Sequence, residues 1–98
     1  HKMGRTNDKF LKEAIEQMLK VYKLKRKFDE TALVLAWPDM MGRAVANRTK
    51  DIFIREKKLF VRIESAVIKN EMVMMRSVII DKMNERAGSA VIEEIIFL

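Results

Sequence analysis

The hydrophobic period of this chain changes twice, from 3.6 to 2 near residue 50 and back to 3.6 after Ser65. Helical segments on both sides must therefore pack around a small sheet formed in the middle. Ile52 and Ile54 alternate with Phe53 and Arg55, and Leu59, Val61 and Ile63 alternate with Phe60, Arg62 and Glu64. Such alternation marks half-buried strands. The charged turn Glu56-Lys57-Lys58 joins them as a hairpin, without the Asn-Gly or Asp-Gly pair usual at such turns.

Upstream, Phe10, Leu11, Ala14, Ile15, Met18, Leu19 and Tyr22 keep the three-and-four spacing of an amphipathic helix. The spacing predicts a helix over about 8–24, capped by Asn7 or Asp8. Phe28-Asp29-Glu30-Thr31 interrupts the pattern, and a second helix is expected from near Glu30 with Leu33, Val34, Trp37, Met40, Met41 and Val45 on its apolar face. Pro38 predicts a kink or a restart with the proline in a first turn. Gly42 costs helix stability, and the expected compensation is close approach of another backbone.

Downstream, Val67, Ile68, Met72, Met75, Val78, Ile79 and Met83 form the face of a third helix. Ser65 suits its N-cap, Gly88 its C-terminal stop, and Arg86 the negative end of its dipole. Val91–Leu98 is β-branched and reads as a third strand. The order is helix, helix, strand, strand, helix, strand. Ninety-eight residues make one domain. Three strands need cover on one face, so the expected class is α+β with helices on one side of a small sheet.

His1-Lys2-Met3 reads as a tag remnant, so residues 1–7 are set apart as remnant and disordered N-terminus, leaving 8–98 as the domain. No stretch of 18 apolar residues and no leader is visible, so no membrane contact is expected and the cytoplasm is the expected location. The chain has no Cys, and its one His is His1. Thiol nucleophiles, Cys-ligated metals, histidine triads and paired-histidine sites are thereby excluded. The only glycines are Gly4, Gly42 and Gly88, so no phosphate-cradling loop exists. The acid pairs Asp29/Glu30 and Glu93/Glu94 are adjacent rather than convergent and read as solvated.

Charge supplies the positive signal. The net charge is +6. Residues 1–58 hold 15 Lys+Arg against 8 Asp+Glu, while residues 59–98 hold 5 against 6. The densest run contains Lys20, Lys23, Lys25, Arg26 and Lys27; a second group contains Arg43, Arg48, Lys50, Arg55, Lys57 and Lys58. Each reads as a solvated surface or as a phosphate-contacting patch, because clustered cations displace the counterions of a nucleic acid. Trp37 reads as a core anchor before an exposed hot spot. Phe53 and Phe60 are expected inside, where the sheet needs an aromatic, with base stacking as the alternative. Of eight Met, Met72, Met74, Met75 and Met83 fall in the third helix. Core filling is the favoured reading there, an adaptable partner groove the alternative.

The segment from Ala36 to Thr49 carries a pattern: Trp37-Pro38, two apolar residues, Gly42, a short helix end, then Arg48-Thr49. Lys58-Leu59-Phe60-Val61 and the helix start Ser65–Met72 follow it. Taken together over residues 8–98, these elements resemble the DciA family. The resemblance implies a KH-like domain without ATPase activity, in a bacterial protein that acts on the replicative DnaB-type helicase and assists its loading. The Gly-x-x-Gly loop with which KH proteins bind RNA is missing here.

The leading expectation is a non-enzymatic adaptor binding helicase and DNA, a single strand favoured, with no cofactor, metal or small-molecule substrate. Lys20, Lys23, Lys25, Arg26, Lys27, Arg43, Arg48, Lys50, Lys57 and Lys58 would meet phosphates. Trp37, Pro38 and Gly42 would be structural members of the family motif. The alternatives are a general single-stranded DNA or RNA binder without a helicase partner, and a protein-binding module whose basic face meets an acidic partner. An enzyme is disfavoured because no nucleophile, base and oxyanion donor can be assembled.

Overall fold

The computed structural model describes residues 7–98 in full and the backbone course of residues 2–6. Of the segment 1–7 expected to be remnant and disordered, His1 lies outside the described residues and the backbone from Lys2 onward is the start of α1. The element order is α1 (Lys2–Met41), α2 (Arg43–Arg48), β1 (Thr49–Arg55), β2 (Lys58–Ile63), α3 (Ala66–Met74), α4 (Arg76–Ala87) and β3 (Glu94–Phe97). The expected α+β architecture with a small mixed sheet is present. Several boundaries differ, each for a physical reason.

The first two expected helices are one helix of 40 residues. Phe28-Asp29-Glu30-Thr31 contains no breaker. It only places polar residues where the apolar stripe would run, and ion pairs one turn apart bridge it, Lys25 to Asp29 at 3.0 Å and Arg26 to Glu30 at 3.4 Å. The helix does not restart at Pro38, which lies within its last stretch. The chain breaks at Gly42 instead, where φ is +87° and the N–H donates to the Pro38 carbonyl at 2.9 Å. A Cβ at Gly42 would meet nothing within 4 Å. Glycine is there for its positive φ, and the expected close backbone approach is absent.

The sheet order is β1-β2-β3, antiparallel then parallel. Glu56 and Lys57 both have positive φ, 50° and 62°, the backbone of a tight hairpin turn without glycine. Leu59, Val61, Ile63 and Ile95 point to the covered face and are buried. They meet Leu33, Trp37 and Met40 of α1 and Met72, Ile79 and Met83 of the later helices in one core. Trp37 is 2% exposed, and its indole N–H donates to Thr49 Oγ1 at 3.0 Å, which in turn donates to the Val45 carbonyl at 2.8 Å. The buried indole thus loses no hydrogen bond on folding.

Phe53 and Phe60 are not core residues. They pair across β1 and β2 on the uncovered face, with ring centroids 4.9 Å apart and planes 10° apart. The covered face is filled by Ile52, Ile54 and the β2 aliphatics, so the aromatics fall on the other parity.

Ser65 caps α3 as expected, its Oγ accepting from the Ile68 N–H at 3.3 Å. The third helix then divides at Met75, whose φ of −104° and ψ of 16° separate α3 from α4. Gly88 ends α4 in the left-handed conformation. The strand expected from Val91 is confined to Glu94–Phe97; Val91 and Ile92 are buried in its lead-in. Asn84 fixes that lead-in, donating to the Ile92 carbonyl at 2.8 Å and accepting from the Ile92 N–H at 3.0 Å. Asn84→Ala leaves both half-buried backbone groups unpaired and is expected to cost about 2–3 kcal/mol. Urea titration checks this, and the midpoint should fall without a change in slope.

The C-terminal end of α1 is tied to α4. Lys82 Nζ donates to the Met40 carbonyl at 2.9 Å and Arg86 pairs with Asp39 at 2.8 Å. A cation on the last carbonyls also suits the negative end of the α1 dipole. The other end of α1 projects. The molecule measures 67 × 21 × 19 Å with a radius of gyration of 18.8 Å, against about 13 Å for a compact chain of ~100 residues.

Candidate nucleic-acid interface

The expected phosphate-contacting residues fall into two groups set by α1. Lys20, Lys23 and Lys27 follow three-and-four spacing and so share one face of the helix. All three are exposed and lack a carboxylate partner among the described residues. Lys25 and Arg26 point away from that face and are engaged by Asp29 and Glu30. Their charge is partly answered before any ligand arrives.

Lys57 at the hairpin turn approaches the same stretch of α1. Tyr22, Lys25, Arg26 and Asp29 form one wall of a cleft of about 290 Å³, with Lys57 and the Ser89–Val91 loop opposite. Positive φ at Lys57 carries the turn to this place, and Glu93 sits 3.7 Å from its ammonium. Lys58 opens β2 beside it, half-buried, in register with Arg55 and Glu94. The first group is thus Lys20, Lys23, Lys25, Arg26, Lys27, Lys57 and Lys58, drawn from two distant parts of the sequence.

Arg43, Arg48 and Lys50 form a second group at the far end of α1. Fourteen helical residues separate Lys27 from Met41, which is about 20 Å of rise. Arg43 opens α2 and Arg48 occupies its last turn. Lys50 pairs with Glu64 at 3.3 Å. The structure does not bring the two groups into one continuous patch on a single element. A ligand spanning both would have to run along α1.

Two features of the exposed surface go beyond the favoured sequence reading, the first of them being the alternative it leaves open for Phe53 and Phe60. The uncovered sheet face carries the Phe53–Phe60 stack with the Arg55 guanidinium 5.8 Å from the Phe53 ring centre. Parity with Asp51, Arg55, Lys58 and Arg62 was the available signal, since charged neighbours on the same side of a strand mark the solvent face. The Arg62–Asp51 pair at 3.3 Å lies on that face too. The other feature is the Tyr22 position in the cleft, which only the hairpin's return to α1 creates.

Among Trp37, Pro38 and Gly42, the first anchors the core, the second lies in the closing turns of α1, and the third makes the break into α2. Among the described residues no group of three or more acidic or histidine side chains is placed to hold a metal ion, and no helix is long and apolar enough to cross a membrane.

Compared with curated proteins, the chain gives no match. The family model described as "Dna[CI] antecedent, DciA" matches residues 11–97, from the first turns of the projecting helix to the end of β3. That span takes in the Trp–Gly element, the hairpin and all the helices that cover the sheet, and the chain belongs to the DciA family.

Proposed function

We propose that this protein is a non-enzymatic adaptor that binds the replicative DnaB-type helicase and DNA in the bacterial cytoplasm and assists helicase loading. Membership of a helicase-loading family, matched over residues 11–97, carries this reading. The family acts in replication as a loader rather than as a catalyst. The cations of α1 and the hairpin supply the DNA part of the proposal. Lys20, Lys23 and Lys27 are free to meet phosphates, Lys25, Arg26 and Lys57 line the adjoining cleft, and Lys58 is next to it. Arg43, Arg48 and Lys50 extend the contact along the other end of α1. Trp37, Pro38 and Gly42 hold the scaffold and touch no ligand.

The helicase part is tested by capture from solution after nuclease treatment. The intact chain should retain the purified helicase when no nucleic acid bridges them. Retention that disappears with nuclease treatment overturns the adaptor reading.

One observation favours a second reading, a general single-stranded DNA or RNA binder without a helicase partner. The stacked Phe53–Phe60 pair with Arg55 offers an aromatic surface beside cations. Under that reading Phe53→Ala weakens oligonucleotide binding severalfold and the helicase is not captured.

A further inference from the structure

β1 is an edge strand with β2 as its neighbour, since the sheet runs β1-β2-β3. The two-residue turn Glu56-Lys57 closes on Arg55 and Lys58. In such a hairpin that pair exchanges backbone hydrogen bonds, and bonded and unbonded pairs alternate from there. Asp51, Phe53 and Arg55 therefore turn their N–H and C=O groups toward β2, while Ile52 and Ile54 turn theirs outward. Among the described residues no other backbone group is bonded to that outer row. The strand contains no proline, and its irregularity lies at its start, between Thr49 and Asp51. Asp51–Arg55 is thus a regular open edge of the kind that accepts another strand.

The side chains on the uncovered face say which strand fits. Rows of them cross the sheet: Glu94, Lys58 and Arg55 in one, Ile96, Phe60 and Phe53 in the next, Arg62 and Asp51 in the last. Arg55 and Lys58 stand directly opposite each other, an unfavourable pair of like charges. Lys58 has Glu94 in register on its other side. Arg55 has no carboxylate partner among the described residues and lies 5.8 Å from the Phe53 ring centre. Phe53 itself is 38% exposed.

A strand that completes these rows brings an acid beside Arg55, an aromatic beside Phe53 and a cation beside Asp51. Asp51-Ile52-Phe53-Ile54-Arg55 itself, run antiparallel, brings all of these. Run parallel, it sets Asp51 against Asp51 and Arg55 against Arg55. A slip of one residue would join the covered face of one copy to the uncovered face of the other. A slip of two would set a charge against Phe53.

We infer that two copies of this chain pair in solution edge to edge through β1, antiparallel, about a twofold axis at Phe53. Phe53 of each copy meets Phe53 of the other, which extends the Phe53–Phe60 stack across the seam. Asp51 of each copy meets Arg55 of the other in non-hydrogen-bonded pairs, where side chains approach most closely. Ile52 of each copy exchanges backbone hydrogen bonds with Ile54 of the other. The pattern is self-complementary, as a twofold interface requires. The inference does not rest on the proposed DNA or helicase binding, since Asp51, Phe53 and Arg55 are not among the proposed phosphate contacts.

Light scattering of the intact chain, free of nucleic acid, over a concentration series tests it. A mass of about 23 kDa, twice 11.5 kDa, is expected at tens of micromolar. Arg55→Asp sets an acid against Asp51 at both ends of the seam and should weaken dimerisation by at least about 100-fold. Within one copy it relieves the Arg55–Lys58 opposition, so thermal unfolding at low concentration should not fall. Asp51→Arg sets cations against cations and should weaken dimerisation likewise. An equimolar mixture of the two variants should recover the 23 kDa species, because each supplies the charge that the other lacks. Register is read by disulfide trapping, which the absence of native Cys makes clean. Phe53→Cys should crosslink to itself. Arg55→Cys should not, because its two copies stand about four residues, ~14 Å, apart along the strands, beyond disulfide reach. A mass of 11.5 kDa at all concentrations overturns the dimer. A 23 kDa mass that both charge variants leave intact, or that their mixture fails to restore, overturns this seam. Self-crosslinking of Arg55→Cys in place of Phe53→Cys overturns the antiparallel register.

Discussion

Trp37→Ala is expected to cost about 3–5 kcal/mol and to take most of the stability of a domain this small. The indole is 2% exposed and lies between α1 and the sheet, in one cluster with Leu33, Leu59, Val61 and Ile95. Its removal opens a cavity that the short α2 and the bulged start of β1 cannot collapse to fill without moving Thr49. It also deletes the donor that engages Thr49 Oγ1 at 3.0 Å. Folding stability of a small domain is typically ~5–15 kcal/mol, and among the described residues this one has a core of twelve buried apolar side chains. A loss of that size therefore consumes most of the margin. Urea titration followed by circular dichroism measures it, with Leu24→Ala as control. Leu24 is 70% exposed, and its truncation should shift stability by no more than about 0.5 kcal/mol. Equal effects at the two positions would mean that Trp37 does not anchor the core.

The contrast between Trp37 and Leu24 also shows which features were legible in the sequence. Local signals read correctly. The alternation over residues 52–63 gave both hairpin strands, Ser65 and Gly88 gave helix ends through cap chemistry, and Trp37 beside the Gly42 break gave an anchor. Signals that depend on what lies across from a residue did not. The interval Phe28–Thr31 resembles a break, because a stripe that turns polar at Arg26, Asp29 and Glu30 looks like a stripe that ends. Only i,i+4 pairing and the return of apolar phase at Leu33 distinguish the two cases. Hydrophobicity favours Phe53 and Phe60 inside, but alternation fixes which residues share a face and not which face is covered. A glycine in a helical segment suggests a steric reason at Gly42, whereas its positive φ makes the reason conformational. Of the candidate site, the basic run on α1 was visible as composition. Its division into a free face and a paired face required the helix to continue to Asp29 and Glu30. The meeting of that run with Lys57 required the hairpin's tertiary position, which no local pattern encodes.

That division makes the DNA proposal quantitative. If about five phosphates of a single strand are neutralised, log K should fall against log salt with a slope of about −3.5. Replacing Lys20, Lys23 and Lys27 together by Gln removes three unpaired cations and should flatten the slope to about −1.4, with an affinity loss of ~100-fold at 0.1 M salt. The loss should vanish as salt approaches ~1 M, since the counterion term vanishes there. Replacing the two ion pairs Lys25–Asp29 and Arg26–Glu30 whole by neutral residues should do less per cation, because each pair already cancels its own charge. Replacing Arg43 and Arg48 tests the far group. A strand that runs along α1 needs about 20 Å to reach it from Lys27, so the effect of those substitutions should grow with oligonucleotide length while that of the lysine triple does not. Fluorescence anisotropy with short and long single strands over a salt series separates these outcomes. All three lysines are exposed, so thermal unfolding should be unchanged and a lost affinity can be read as lost contact. An unchanged slope in the triple variant removes the α1 face from the DNA interface.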